Sequence, residues 1–431
     1  MKDQRKASSC PLKLIPPNCS IVRANLLIWP ALQVPIRPMP LLYARVRSLL
    51  AFGSEKSNRR NPLKTLAERA VAMAKVSPED PYASLADQNR LATSYADLDL
   101  YDPTEVSSDQ LKEAALAMEA AALSIGGVTN SSGAGASSGM GGLVLATSHG
   151  FTGSYMGSRF GRSVSVIGGE GTKMERDYDY DSCLYFADLE DPETIGRRAG
   201  ERVVARLNPR QVDTASNVTV VYDPRVARGF AGTIAGAING ASVARKSSFL
   251  WEKMGQKILS PNITITDDPQ IVRGPSSRPF DGEGIAGEKL TMIENGVLKQ
   301  WFLSTSVARE IGLTTNGRGV RGGTSVGASS TNLALEPGTM TPEELIAGVG
   351  NGFYVTELIG HGTNLLTGEF SCGASGFWIE NGQKTFAVSE VTIASNLNDM
   401  FMRVTPANDI DRSFGTASPT LAIEGMTLAG R

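Results

Sequence analysis

The sequence predicts an α+β fold in two units: helices with an antiparallel sheet first, then a β-rich region built as an antiparallel sheet or partial barrel. Three observations lead there. Apolar residues recur at helical spacing in three stretches before residue 210. Glycine is frequent, at 46 of 431 residues, while aromatics make up only 6%, a balance that favours turns and hairpins over a helical bundle. The tetrapeptide IENG occurs twice, at 293–296 and 379–382, each time between apolar runs.

Taken in order, residues 1–61 form an atypical basic, proline-rich segment. Residues 1–62 hold eight of the 22 prolines but one glycine, with eleven Lys/Arg against two Asp/Glu. No periodicity persists there, and the expectation is a disordered or misassigned stretch. Its apolar part, 21–52, is broken by Pro30, Pro35, Pro38, Pro40, Arg23, Arg37, Arg45 and Arg47, so no window reaches the ~18 apolar residues of a membrane span. Nor does it carry a secretory cleavage pattern.

Asn61-Pro62 then supplies an N-cap and a first helical residue, and Leu63, Leu66, Ala67, Ala70, Val71 and Ala74 keep amphipathic spacing up to Ser77-Pro78. A second helix starts near Ser107 or Ser108, with Leu111, Ala115, Met118, Ala122 and Ile125 on one face. From about Leu143 to Leu189, short β-type runs separated by Gly predict an antiparallel meander. A third helix starts at Asp191-Pro192 and runs to about Leu207, with Ile195, Ala199, Val203 and Leu207 aligned. The boundary between the two domains, 62–210 and 211–431, falls here. The second opens with the strand NVTVVYDP and a small-residue helical segment, RVARGFAGTIAGAINGASVARK, and the remainder reads as β. Asn295-Gly296 and Asn381-Gly382 predict type I′ hairpins, because both central residues of that turn need positive φ.

Composition excludes several functions. Residues 63–431 carry 31 Lys/Arg against 42 Asp/Glu, so the body is acidic and direct nucleic-acid binding is disfavoured. Four scattered cysteines (Cys10, Cys19, Cys183, Cys372) build neither a disulfide framework nor a zinc half-site, which points to a reducing cytoplasm. The only histidines, His149 and His361, are far apart and neither is followed by Glu, so a helical metal-ligand pair is absent.

The remaining chemistry is local. Cys372 as nucleophile, His361 as base and Asn364 as orienting group would assemble a cysteine hydrolase; the competing reading is a buried strand cysteine beside a loop histidine. Glu175, Asp177, Asp179 and Asp181 alternate with Arg176, Tyr178 and Tyr180, so in a strand the carboxylates share one face, which the sequence predicts to be solvated. GRGVRGGTS at 317–325 lacks phosphate-loop spacing and reads as a mobile loop that could border a ligand site.

Six segments together, VSPEDPYASLAD, SHGF, MERDYDY, ARKSSFL, FYVTELIGHGTNLLTGEFSCGASGFWIENG and EVTIASNLNDM, resemble the TldD/PmbA family of peptidase-related proteins in its PmbA (TldE) branch, over about Pro62 to Arg431. The resemblance implies an N-terminal α/β domain with an antiparallel sheet and a C-terminal domain on a curved antiparallel, barrel-like sheet. In the TldD branch a helix bears an H-E-x-x-x-H zinc motif, with a later cysteine ligand, and the protein is a peptidase on unfolded or leader peptides. PmbA-branch chains lack those ligands and pair with a TldD-type subunit. They are associated with maturation of a peptide antibiotic that targets DNA gyrase, hence the description as modulators of DNA gyrase.

The corresponding segment here, RGFAGTIAGAINGAS at 228–242, has no His, Glu, Asp or Cys, and 413–431 has no cysteine. The expectation is therefore a chain without catalytic or metal-ligating residues of its own, and with no cofactor. Zinc is expected in a TldD-type partner; self-association as a homodimer is the alternative. Peptide contacts are expected at His361, Gly362, Thr363, Asn364, Ser371, Cys372, Gly373 and Ser375, and at Arg318 and Arg321. Family members begin with a strand-rich segment where this chain has 1–61, which suggests a misassigned start.

Overall fold

The computed structural model describes residues 22–27, 46–47, 71–72, 75–76 and 80–431, apart from 323–324 and 361. Most of the helix predicted at 62–76 lies outside them; residues 71–72 and 75–76 are helical. Within the segment expected to be unstructured, strands β1 (Val22–Leu27) and β2 (Val46–Arg47) pair with each other, which corrects that expectation for these residues.

The first unit is a sheet of order β2-β1-β3-β4-β5, formed with β3 (Val128–Ala146), β4 (Thr152–Gly168) and β5 (Glu175–Cys183). β1 runs parallel along Met140–Leu145 of β3, and β3, β4 and β5 are mutually antiparallel. The meander is therefore real but starts earlier and has longer strands than predicted. β3 takes in the Gly/Ser/Ala run 131–142, whose low strand propensity is overridden by continuous pairing with β4.

Helices α1 (Ser108–Leu123) and α2 (Pro192–Ala205) cover this sheet, their Met118, Ala122, Ile195, Ala199 and Val203 meeting Val164 and Val166 of β4. Ser107 caps α1 in a reciprocal box with Gln110, and Asp191 with Pro192 starts α2. The two helices touch through Gly196, where a Cβ would lie 2.2 Å from the Met118 carbonyl oxygen.

The second unit starts with β6 (Ala215–Tyr222) and α3 (Pro224–Ala237), which Asp223 caps at the Arg225 amide. A short helix, Gly240–Ala244, follows. Next come β7 (Ile265–Asp268), β8 (Leu290–Glu294), β9 (Val297–Leu298), β10 (Gly319–Gly322), β11 (Ser325–Ala328) and β12 (Asn332–Leu335). The chain continues through β13 (Asn351–Ile359), β14 (Glu369–Glu380), β15 (Gln383–Asn396), β16 (Val404–Pro406), β17 (Thr416–Ala417) and β18 (Leu421–Ala429).

Strands β15, β14, β13, β6 and β18 follow one another in a sheet, and β18 pairs again with β15, so the five close into a ring. Neighbours in a ring of five cannot all be antiparallel, since alternation closes only on even numbers. The parallel pair is β6–β13. A second sheet, β17-β12-β7-β8-β9, shares its core with the ring and with α3, which contributes Ala227, Phe230, Ala231 and Ile234. The two predicted hairpins form as expected: Asn295 and Gly296 have φ of 48° and 82°, Asn381 and Gly382 of 51° and 75°. The α+β class and the barrel-like C-terminal sheet are as the sequence indicated.

Candidate functional site

The alternating carboxylates of β5 set up the site. Four helical residues advance ~6.0 Å and two strand residues ~6.6 Å, so an i, i+4 row on a helix can face an alternating row on a strand. Arg198, Arg202 and Arg206 of α2 and the residue after it form such a row. Arg198 and Arg202 each reach Asp179 at 2.5 Å, and Arg206 reaches Asp177 at 3.3 Å and Glu175 at 3.5 Å. The face predicted to be solvated is thus an ion-pair layer in which Asp177 and Asp179 are buried.

At its end, this layer opens into a cleft of about 880 Å³ between the first sheet and the ring. One wall is Lys173–Arg176, Arg206 and Asn208–Gln211; the other is the end of β13, the middle of β14 and the 389–391 stretch of β15. Two bulges shape the second wall. Thr356 is an extra residue on β13 between the pairs Val355–Gly376 and Glu357–Ser375. On the other side of β14, Ala374 pairs with Val391 and Gly376 with Val388, so Ser389 and Glu390 oppose Ser375 alone. The bulges bring Glu357, Ser389 and Glu390 into the lining of the cleft. Glu390 takes the left-handed backbone, φ 57°, a conformation that such a bulge usually assigns to glycine.

Arg206 joins the walls. It is 2.7 Å from Glu357, which also binds Arg176 at 3.1 Å. Burial opposes the charge of Arg206, but Glu357, Asp177 and Glu175 outweigh it and raise its pKa. Burial pushes the Glu175 carboxyl above its ordinary value, and Arg206 only partly offsets this.

Of the residues expected to contact peptide, Gly373 and Ser375 line the cleft. Gly362, Thr363, Asn364 and Ser371 form the neighbouring turn, where Ser371 N–H donates to the Gly362 carbonyl at 2.8 Å and the Asn364 side chain accepts from Leu366 N–H at 2.9 Å. His361 lies outside the described residues. Cys372 points into the core, 6% exposed, with its thiol 3.6 Å from the Ile359 and Gly360 carbonyls, the environment of a packing cysteine.

Arg318 and Arg321 belong to another neighbourhood. Arg318 is fully buried against Asp267, and Arg321 donates to the Gly282 carbonyl at 2.5 Å. Residues 319–322 and 325–328 are a paired hairpin, so the expected mobile loop is, in its described part, β-structure, and Arg318 does not face a channel. The second histidine, His149, donates from Nδ1 to the Ala86 carbonyl at 2.7 Å.

Sequence reasoning missed Arg206, Arg210, Glu357 and Glu390. The i, i+4 spacing of Arg198, Arg202 and Arg206 opposite the alternating acids was the available signal; the bulges left none.

Zinc finds no fitting donors on α3, whose side chains are Arg, Val, Phe, Thr and Ile besides Pro, Ala and Gly. Among the described residues, no group of three or more His, Cys, Asp or Glu is arranged to hold a metal ion. No described helix is long and apolar enough to cross a membrane.

Comparison with known proteins gives a consistent picture. The PmbA/TldA metallopeptidase central-domain family matches residues 101–207 and the corresponding C-terminal-domain family residues 215–430. The metalloprotease PmbA of Escherichia coli O157:H7 is 38% identical, across 84% of this chain and 79% of that protein. The PmbA homolog of Haemophilus influenzae is 35% identical, across 85% and 80%. Among solved structures, a protein of Bacteroides thetaiotaomicron described as a modulator of DNA gyrase superposes with a TM-score of 0.77 at 31% identity, covering 86% of this chain and 84% of that one. TldE of Thermococcus kodakarensis shares the fold, with a TM-score of 0.72 at 22% identity and 85% of each chain covered. The chain belongs to the PmbA/TldD family of peptidase-related proteins, in its PmbA (TldE) branch.

Proposed function

We propose that this chain is the metal-free partner subunit of a TldD-type zinc metallopeptidase complex, helping to enclose a channel for unfolded or leader peptides. The observation that carries the reading is α3. In the TldD branch the corresponding helix bears the zinc ligands; here Gly229 and Gly232 leave open space on its exposed side, and no His, Glu, Asp or Cys occurs from 228 to 242. Without an imidazole or carboxylate there, the helix can neither hold zinc nor supply a base to a zinc-bound water. The zinc and the peptide-cleaving chemistry would come from the partner. Extended peptide is held through main-chain pairing to strands, which tolerates varied side chains.

The test uses purified chain, alone and mixed with a TldD-type partner. The expected result is no stoichiometric zinc in this chain, co-elution with the partner on size exclusion, and peptide cleavage only by the mixture. Tightly bound stoichiometric zinc in this chain, or failure to co-elute, would overturn the proposal.

A further inference from the structure

The charges lining the cleft are unevenly matched. Arg206 is held by three carboxylates, and Arg176 by Glu357. Glu175, in contrast, has among the described residues only the long 3.5 Å contact to Arg206 and a hydrogen bond from Ser389. Among the described residues, the Glu390 carboxylate meets only the Gln211 amide, also at 3.5 Å. On the cationic side, Arg210 stacks over the Phe386 ring, 4.4 Å from its centroid, and has no carboxylate partner among the described residues. Ser375, 3% exposed, also lines the cleft. At the mouth, Met174 and Ile359 are 57% and 59% exposed, an apolar lip over a polar floor.

A second feature points the same way. Glu390 occupies the left-handed backbone region, which strains a non-glycine residue, and such outliers cluster where a side chain has a task. Glycine would serve the bulge better. The bulge instead places a carboxylate in a cleft that already contains an incompletely paired one.

We infer that the cleft binds a zwitterionic short peptide of about dipeptide size, its ammonium group on Glu390 and Glu175, its carboxylate on Arg210, and its apolar side chain against Met174 and Ile359. A purely cationic ligand would leave Arg210 unmatched, and a purely anionic one would leave Glu390 and Glu175 unmatched. The cleft volume lies within the range of small-molecule sites, roughly 300–1,000 Å³. A free dipeptide is the kind of product that peptide-bond hydrolysis releases. Every group invoked comes from this chain, so the inference stands apart from the partner reading above.

Isothermal titration of the full chain with L-leucyl-L-leucine, its N-acetyl form and its C-terminal amide tests it. The free dipeptide is expected to bind, and each blocked form to bind about tenfold more weakly, the usual loss when one charged hydrogen bond disappears. Glu390→Gln should remove the penalty for acetylation while keeping that for amidation, and Arg210→Gln should do the reverse. No binding of the free dipeptide, equal binding of all three ligands, or variants that weaken all three equally would overturn the inference. Glu390→Gly separates binding from folding because it suits the left-handed backbone: its thermal midpoint should stay at or above that of the parent while the preference for a free amine is lost. A lower midpoint with that preference intact would assign Glu390 to the scaffold and sink the proposal.

Discussion

Two clusters of buried charge in this molecule are built to different standards. Arg318 and Asp267, both wholly inaccessible, are each fully partnered. Arg318 donates from Nε to Asp267 at 2.5 Å and from its terminal nitrogens to the Asn316, Asp267 and Glu288 carbonyls at 2.8–3.0 Å, while Asp267 also accepts from Thr331 N–H and O–H. Around Arg206, one guanidinium serves Glu175, Asp177 and Glu357 at 2.7–3.5 Å, beside an open cleft. Complete pairing without solvent describes a scaffold; incomplete pairing beside solvent describes a place for something else to bind.

The sharpest way to break this contrast is Arg318→Met. It removes the guanidinium bonded to the wholly buried Asp267, and a loss of about 3–5 kcal/mol is expected in urea unfolding. A loss below 1 kcal/mol would show that the two clusters do not differ as described.

The next effect depends on pH. Burial, reinforced by the charge of Asp281, raises the Glu283 carboxyl from 4.5 to about 7, against the pull of Thr305 and Arg321. A carboxyl raised in the folded state favours folding while protonated. Its contribution is therefore fully present below about 4.5 and is lost as pH rises through about 7. The unfolding free energy should fall by about 2–3 kcal/mol between pH 4.5 and 8 from this residue, with Asp281, raised for the same reason, adding in the same direction. Glu283→Gln, still able to accept from Thr305, should flatten that slope in urea titrations at both pH values.

Arg206→Met should cost less than Arg318→Met, about 1–2 kcal/mol, because Asp177 keeps Arg225 and Glu357 keeps Arg176. Equal losses for the two arginine variants would erase the distinction between scaffold and site. The smallest effect belongs to Cys372→Ala, about 1 kcal/mol for a lost packing group. Peptide cleavage by the proposed complex should be unchanged in a steady-state assay; its abolition would restore the cysteine-hydrolase reading.

What the sequence made legible was local. Asn295-Gly296 and Asn381-Gly382 announce their turns because the required φ values are met by adjacent residues, and Ser107 and Asp191 announce helix starts for a similar reason. β3 was harder to see, since its Gly, Ser and Ala residues become strand only through pairing with β4. The acids of β5 were visible as an alternating row, but their burial depended on arginines about twenty to thirty residues away. Arg318 was misplaced because a charged residue in a glycine-rich stretch carries no local mark of enclosure. The two walls of the cleft, one of them shaped by bulges, come from segments about 180 residues apart, Arg176 with Glu357 and Gln211 with Glu390, and no short-range pattern encodes such a meeting.

The odd strand count of the ring also fixes an order of events. The parallel neighbours β6 and β13 cannot be joined by a tight turn; the chain from 223 to 350, including α3 and most of the second sheet, lies between them. β18 then slots between β6 and β15, so closure waits for residues beyond 420. Contacts of such long sequence separation form late and slowly. During synthesis β6 would spend nearly all of the elongation that remains after it with an unpaired edge, which makes this strand the point where a chaperone would have most to protect.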